Sequence, residues 1–142
     1  MRYSAHVDYL VASIFYLATQ RGWWARTPKM MAMELSLDED KLLAVFEGFP
    51  GIFRRSMRPS DSGQYYYSLQ ARYAQRDQYD EREETTDIPP LETDKIRLLY
   101  DFVLKSADDE RSRLRALVGN GIAVGAAVIS AMTAILVAYL KS

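Results

Sequence analysis

The residue types that most often carry catalysis or bind metals are scarce in this chain. It contains one histidine, His6, and no cysteine, which excludes a thiolate nucleophile, a zinc-thiolate site and a disulfide framework. His6 and Asp8 lie two positions apart, a spacing that does not bring two side chains together on a helix. No phosphate-binding glycine loop or nucleophile motif is present in the sequence. We therefore predict a non-enzymatic protein with no catalytic residue, no metal and no cofactor.

The residues best suited to binding are arginines interleaved with tyrosines between positions 54 and 76. Arginine contacts phosphate oxygens, and tyrosine rings stack on bases. The predicted nucleic-acid or partner-binding residues are Arg54, Arg55, Arg58, Arg72, Arg76, Tyr66 and, on a neighbouring helix, Lys41. The alternative is structural: the inward tyrosines pack a sheet and the arginines solvate its outer face.

Three helices are predicted before this region. Apolar residues recur at intervals of three and four between Val7 and Ala18, as on one face of a helix. Thr27 before Pro28 predicts a second helix, because the Thr hydroxyl caps free amides and proline needs no partner at the first helical position. Asp38 is expected to cap a third helix, which the Gly48–Gly51 region ends.

A β-hairpin is predicted after the third helix. A strand over 52–57 and a turn over 58–63 are followed by a second strand from Gln64 to about Ala74. In the second strand the residues Tyr65, Tyr67 and Leu69 alternate with more polar ones, so they share one face.

The order helix, short strand, helix, tight turn, helix and hairpin resembles the winged helix-turn-helix domain over about residues 5–76. The resemblance rests on the Thr27-Pro28 start, the Leu35-Ser36-Leu37 turn and the Phe53-Arg54-Arg55 strand. It implies a mainly α fold with a small hairpin wing, in which the third helix enters the DNA major groove and the wing contacts phosphates.

The third helix departs from what DNA binding requires. Its predicted exposed residues include three acids, Glu39, Asp40 and Glu47, against one base, Lys41. Carboxylates facing a polyanion lower affinity. Winged helices also serve as protein-interaction modules, and the acidic third helix favours that use.

The C-terminal half divides by charge. Residues 77–93 carry seven acids against one arginine, which predicts an acidic linker. Residues 94–116 are predicted to form an amphipathic, basic juxtamembrane helix. Residues 117–140 contain no charged side chain and exceed the roughly 20 residues that cross a hydrocarbon core. We predict a single C-terminal transmembrane helix there, and the arginines before it place the winged-helix head, residues 1–76, in the cytoplasm.

Small residues within that predicted span suggest self-association. Gly and Ala at intervals of four let two helix backbones approach closely. The predicted self-association residues are Gly121, Gly125, Ala123, Ala127 and Ala131, and they imply a homo-oligomer.

Together these features predict a non-enzymatic, membrane-anchored winged-helix adaptor or regulator. It would bind a protein partner at the cytoplasmic face of the membrane and self-associate through its single transmembrane helix. One alternative is a membrane-tethered DNA-binding transcriptional regulator that uses the arginine wing. Another is a small membrane-active effector with a sensing head.

Overall fold

The structure, a computed structural model, describes the backbone of residues 1–75 and 88–140 and the side chains of residues 1–75 and 88–117. Its contacts divide the chain into two units, Met1–Ala107 and Asp108–Ser142. After a short 3-10 turn, Tyr3–Ala5, the elements are α1 (Val7–Thr19), β1 (Ala25–Arg26), α2 (Pro28–Leu35), α3 (Glu39–Gly48), β2 (Phe53–Pro59), β3 (Tyr65–Leu69), α4 (Gln70–Tyr73) and α5 (Thr93–Leu140).

The predicted helix starts are confirmed by their caps. The Thr27 hydroxyl oxygen accepts a hydrogen bond from the Met30 amide at 3.3 Å, and Pro28 is the first residue of α2. Asp38 Oδ1 accepts from the Lys41 amide at 2.9 Å and so caps α3. Between these helices Ser36 has a left-handed backbone with φ 55°, which ends α2 and makes a tight turn.

Three antiparallel strands form a sheet with the order β1-β3-β2. Strand β1 is only two residues long, and Ala25 and Arg26 pair with Ser68 and Tyr67 of β3. Strand β3 ends at Leu69, earlier than predicted, because the chain turns into α4. The predicted fold class, mainly α with a hairpin wing, is therefore corrected to a mixed α/β domain with a three-stranded sheet.

The core of the first unit lies among α1, α2, α3 and one face of the sheet. The end of the predicted linker and the start of α5 complete it, because Leu91 and Val103 are buried in the same cluster. The Leu91 amide also donates to the Ala18 carbonyl at 2.9 Å. Of the predicted acidic linker over 77–93, residues 77–87 lie outside the described residues, whereas Ile88 and Leu91 are buried. The head thus includes the start of α5 and does not end at residue 76.

The predicted membrane anchor is not supported. Within the described residues, no helix combines the length and the apolar composition that a membrane crossing requires. The described side chains of α5, residues 93–117, include eleven charged groups, which explains this for that part of the helix. This finding contradicts three predictions from the sequence: the transmembrane helix over 117–140, the C-terminal anchor, and the single-pass localisation with a cytoplasmic head.

Candidate functional site

Strand β2 lies at one edge of the sheet, and a bulge interrupts its pairing with β3. Phe53, Arg54 and Arg55 pair regularly with Leu69, Ser68 and Tyr67, but the next pair joins Pro59 to Tyr65, so β2 contains two extra residues. The Ser56 hydroxyl fills this bulge. Its oxygen accepts a hydrogen bond from the Tyr66 amide at 3.1 Å, and its O–H donates one to the Arg58 carbonyl at 2.7 Å.

The bulge projects Met57 into solvent. Its side chain is 89% exposed, the largest exposed fraction among the large hydrophobic residues that the structure describes. Bulges commonly re-aim a side chain at a sheet edge. An apolar side chain held outward in this way is a candidate contact for another molecule.

The arginines Arg54 and Arg55 lie on opposite faces of the sheet, because cross-strand partners share a face and their partners are Ser68 and Tyr67. Arg55, on the same face as Tyr67, places its guanidinium carbon 4.6 Å from the centre of the Tyr65 ring. On the other face the Arg54 guanidinium carbon lies 3.7 Å from the centre of the Tyr73 ring. The two residues therefore do not form one cationic surface.

Trp24 adds a second aromatic ring on the face of the sheet that carries Arg54. Its ring centre lies 5.8 Å from that of Tyr73, the ring over which Arg54 is placed. Cation–π contact with an aromatic ring restricts the orientation of a guanidinium group. Arg54 is thus held in position on its own face, as Arg55 is by Tyr65 on the other.

A cleft of about 280 Å³ lies between α3 and β2. Its lining residues are Phe46, Glu47, Pro50, Phe53, Arg55 and Tyr67. The aromatic rings make the floor, since the Phe46 ring centre is 4.8 Å from that of Phe53 and 4.8 Å from that of Tyr67. Glu47 and Arg55 add one negative and one positive group. The cleft can therefore hold an apolar side chain with polar groups beside it.

Helix α3 runs alongside the hairpin from this cleft. Near the start of the helix, Glu39 Oε1 accepts from Gln64 Nε2 at 2.6 Å, which ties α3 to the start of β3. One turn before Glu47, Leu43 and Ala44 are exposed on α3. An exposed helix surface thus adjoins the helical wall of the cleft.

The environment of the cleft alters the acidity of Tyr67. Burial raises the pKa of the Tyr67 hydroxyl above its ordinary value of 10.0, and the Glu47 carboxylate raises it further. The positive charge of the Arg55 guanidinium lowers this pKa in part. The neutral phenol is therefore the form that the folded protein favours.

This raised pKa predicts a loss of stability at alkaline pH. The folded protein binds the Tyr67 proton more tightly than the unfolded chain, so this contribution to the free energy of unfolding is complete below pH 10 and declines above it. Urea unfolding at a series of pH values measures the decline, and Tyr67→Phe is expected to make it shallower. An identical decline in Tyr67→Phe would contradict the assignment.

Arg72 was predicted to be a binding residue, but the structure places it in the interior of the protein. Its side chain is 0% exposed, and its three guanidinium nitrogens donate to four backbone carbonyls. Two carbonyls belong to the end of α1, at Leu17 (2.7 Å) and Gln20 (2.6 Å), and the others to Ile88 and to Pro89 (3.1 Å). Arg72 therefore joins α1 to the segment that precedes α5.

The remaining predicted residues fall into three groups. Arg58 and Lys41 are exposed, on β2 and α3, and Tyr66 is half-buried beside the bulge. Arg76 lies outside the described residues. The predicted self-association residues Gly121, Gly125, Ala123, Ala127 and Ala131 lie where no side chain is described, and self-association stays a prediction from the sequence.

The residues that sequence reasoning missed are Met57 and the cleft residues Phe46, Glu47 and Phe53. A signal for Met57 existed, since it is an apolar residue among polar ones between Arg54 and Pro59. The cleft gave no signal in the sequence, because its residues come from a helix and two strands that only the fold brings together.

Comparison with known proteins finds no relative of this chain: no protein-family model, no curated protein and no solved structure matches it. The resemblance to the winged helix-turn-helix domain is therefore unconfirmed.

Proposed function

We propose that this chain is a non-enzymatic adaptor that binds a protein partner at the surface formed by β2 and α3. The observation that carries the proposal is the position of the exposed Met57 on the same edge strand as Arg55, which lines an aromatic-floored cleft opposite Glu47. Protein-binding surfaces combine apolar anchors with a polar, charged surround. This surface, called the β2–α3 surface below, has both.

Charge on the same surface disfavours nucleic acid as the partner. Arg54 and Arg55 face opposite sides of the sheet, so a phosphate backbone along one side meets only part of the arginine cluster. On the side of Arg55 it also meets Glu47, which lines the cleft. A phosphate backbone follows one side of the sheet, whereas a protein partner can place different side chains on its two sides and an apolar side chain in the cleft beside Glu47.

Site-specific photo-cross-linking tests the proposal. A benzophenone amino acid at position 57 of the full chain, expressed in the cells that naturally produce it, is expected to cross-link to a discrete protein. The matched control is position 33, because Met33 is also an exposed methionine (74%) but lies on α2, outside the β2–α3 surface. Arg55→Glu should reduce the cross-link at position 57.

Two outcomes would contradict the adaptor. One is the absence of a discrete product at position 57, or the same products at positions 57 and 33. The other is binding of the full chain to duplex DNA that weakens steeply between about 50 and 200 mM salt. If that binding is lost in the Arg54→Ala, Arg55→Ala and Arg58→Ala triple variant, a DNA-binding regulator replaces the adaptor.

A further inference from the structure

We propose that β2 binds an extended, acidic segment of the partner as an added fourth strand of the sheet. The inference rests on the proposed function, since it concerns the same β2–α3 surface, and it specifies the chemistry of the partner. An exposed sheet edge can bind an extended peptide through backbone hydrogen bonds, while side-chain pockets give specificity.

The edge of β2 is open to such pairing. Strand β3 is its neighbour on one side, and within the described residues no strand pairs with the other side. The pairing from Phe53 to Arg55 is regular, so this part of β2 presents an ordinary strand edge. The bulge and Pro59, which has no amide hydrogen, limit an added strand to the part of β2 before them.

The arginines fit an acidic segment because they face both sides of the sheet. Successive side chains of an added strand point alternately to the two faces. Those on the helix side meet Arg55 and the cleft, and those on the other side meet Arg54. Arg58 adds an exposed cation on β2, within the bulge between Arg55 and Pro59. Carboxylates on either face of the segment therefore lie near a guanidinium group with which they can pair.

The cleft selects one apolar residue within that segment. Its floor of Phe46, Phe53 and Tyr67 adjoins β2 on the helix side, where one side chain of an added strand would enter. Met57, exposed two residues after Arg55 on the same strand, offers a second apolar contact outside the cleft. The expected ligand is thus an extended segment with acidic residues around one apolar or aromatic residue.

A second copy of this chain is a poor occupant. Pairing two β2 strands edge to edge would bring the arginines at 54, 55 and 58 of one copy next to those of the other. Like charges directly opposite in a sheet are destabilising. An acidic segment of another protein has the complementary charge.

Selection from a displayed library of random peptides of about ten residues tests the inference on the full chain. We expect enrichment of acidic peptides that contain one apolar or aromatic residue. Binding of the enriched peptides should weaken by about tenfold or more in the Arg55→Glu, Arg58→Glu double variant. It should be unchanged in Arg21→Glu, because Arg21 is an exposed arginine outside β2 and α3.

N-methylation separates strand addition from ionic contact. In an antiparallel pair, alternate residues direct their amides toward the neighbouring strand. Methylating one alternate set of peptide amides should abolish binding, and methylating the other set should leave it nearly unchanged. Equal effects of the two sets would overturn strand addition, as would the absence of enriched acidic peptides.

The experiments distinguish a failure of the proposed adaptor function from a failure of the proposed added strand. A discrete cross-link at position 57 together with equal effects of the two methylated sets overturns only the added strand. Absence of that cross-link contradicts the adaptor itself. Binding that the Arg55→Glu, Arg58→Glu variant leaves intact removes these arginines from the interface and overturns the acidic partner.

Discussion

Replacing Arg72 with methionine is expected to lower the free energy of unfolding by about 3–5 kcal/mol. Arg72 is fully buried and donates to carbonyls of Leu17, Gln20, Ile88 and Pro89. Methionine fills similar space without a donor, so these buried carbonyls lose the charged group that satisfies them. Two of them belong to the C-terminal end of α1, where a cation is also favoured by the helix dipole.

Urea unfolding of the full chain, followed by circular dichroism, measures this loss. Arg72→Lys keeps the charge but not the planar set of donors, and its loss should be intermediate. Arg58→Met is the matched control, because Arg58 is exposed and its substitution should change the unfolding free energy by less than about 0.5 kcal/mol. Equal effects of Arg72→Met and Arg58→Met would show that the buried hydrogen bonds contribute little.

The helices could be predicted from the sequence because their signals are local. Thr27 and Asp38 each lie three residues before the amide that they cap, and Pro28 has no amide hydrogen to satisfy at the first position of α2. Sequence spacing is therefore enough to predict these helix starts. The same holds for the turn at Ser36. These elements follow from residues that are close together in the chain.

The sheet could be predicted only in part because strand pairing joins distant segments. Strand β1 has two residues, too few for an alternating pattern, and it pairs with residues more than 40 positions away. The bulge depends on the register between β2 and β3, which no residue of β2 determines alone. The pairing of the short first strand with β3 and the outward position of Met57 could therefore not be predicted from the sequence.

The arginine cluster shows the same division between local and distant information. Its composition indicated a binding surface, but the four described arginines, Arg54, Arg55, Arg58 and Arg72, have different surroundings in space. Arg54 and Arg55 separate because adjacent strand residues face opposite sides. Arg72 is buried because it follows the sheet in α4 and reaches Leu17, which is 55 positions earlier. Residue type alone did not separate an exposed arginine from a buried one.

Replacing Phe46 with alanine is expected to lower the free energy of unfolding by about 3–5 kcal/mol. The Phe46 side chain is buried, and its ring lies 4.8 Å from the ring centres of both Phe53 and Tyr67. Its removal leaves a cavity where α3 meets the sheet. Since the same ring forms part of the cleft floor, Phe46→Ala should also abolish binding of the selected acidic peptides.

Phe46→Leu distinguishes a collapsed fold from an altered cleft. Leucine retains much of the apolar volume, so this variant should lose less stability than Phe46→Ala and stay folded at room temperature. If the aromatic floor holds the apolar residue of the partner, the folded Phe46→Leu protein should still bind the peptides more weakly than the unmodified chain. Peptide affinity equal to that of the unmodified chain would place the apolar contact at Met57, outside the cleft.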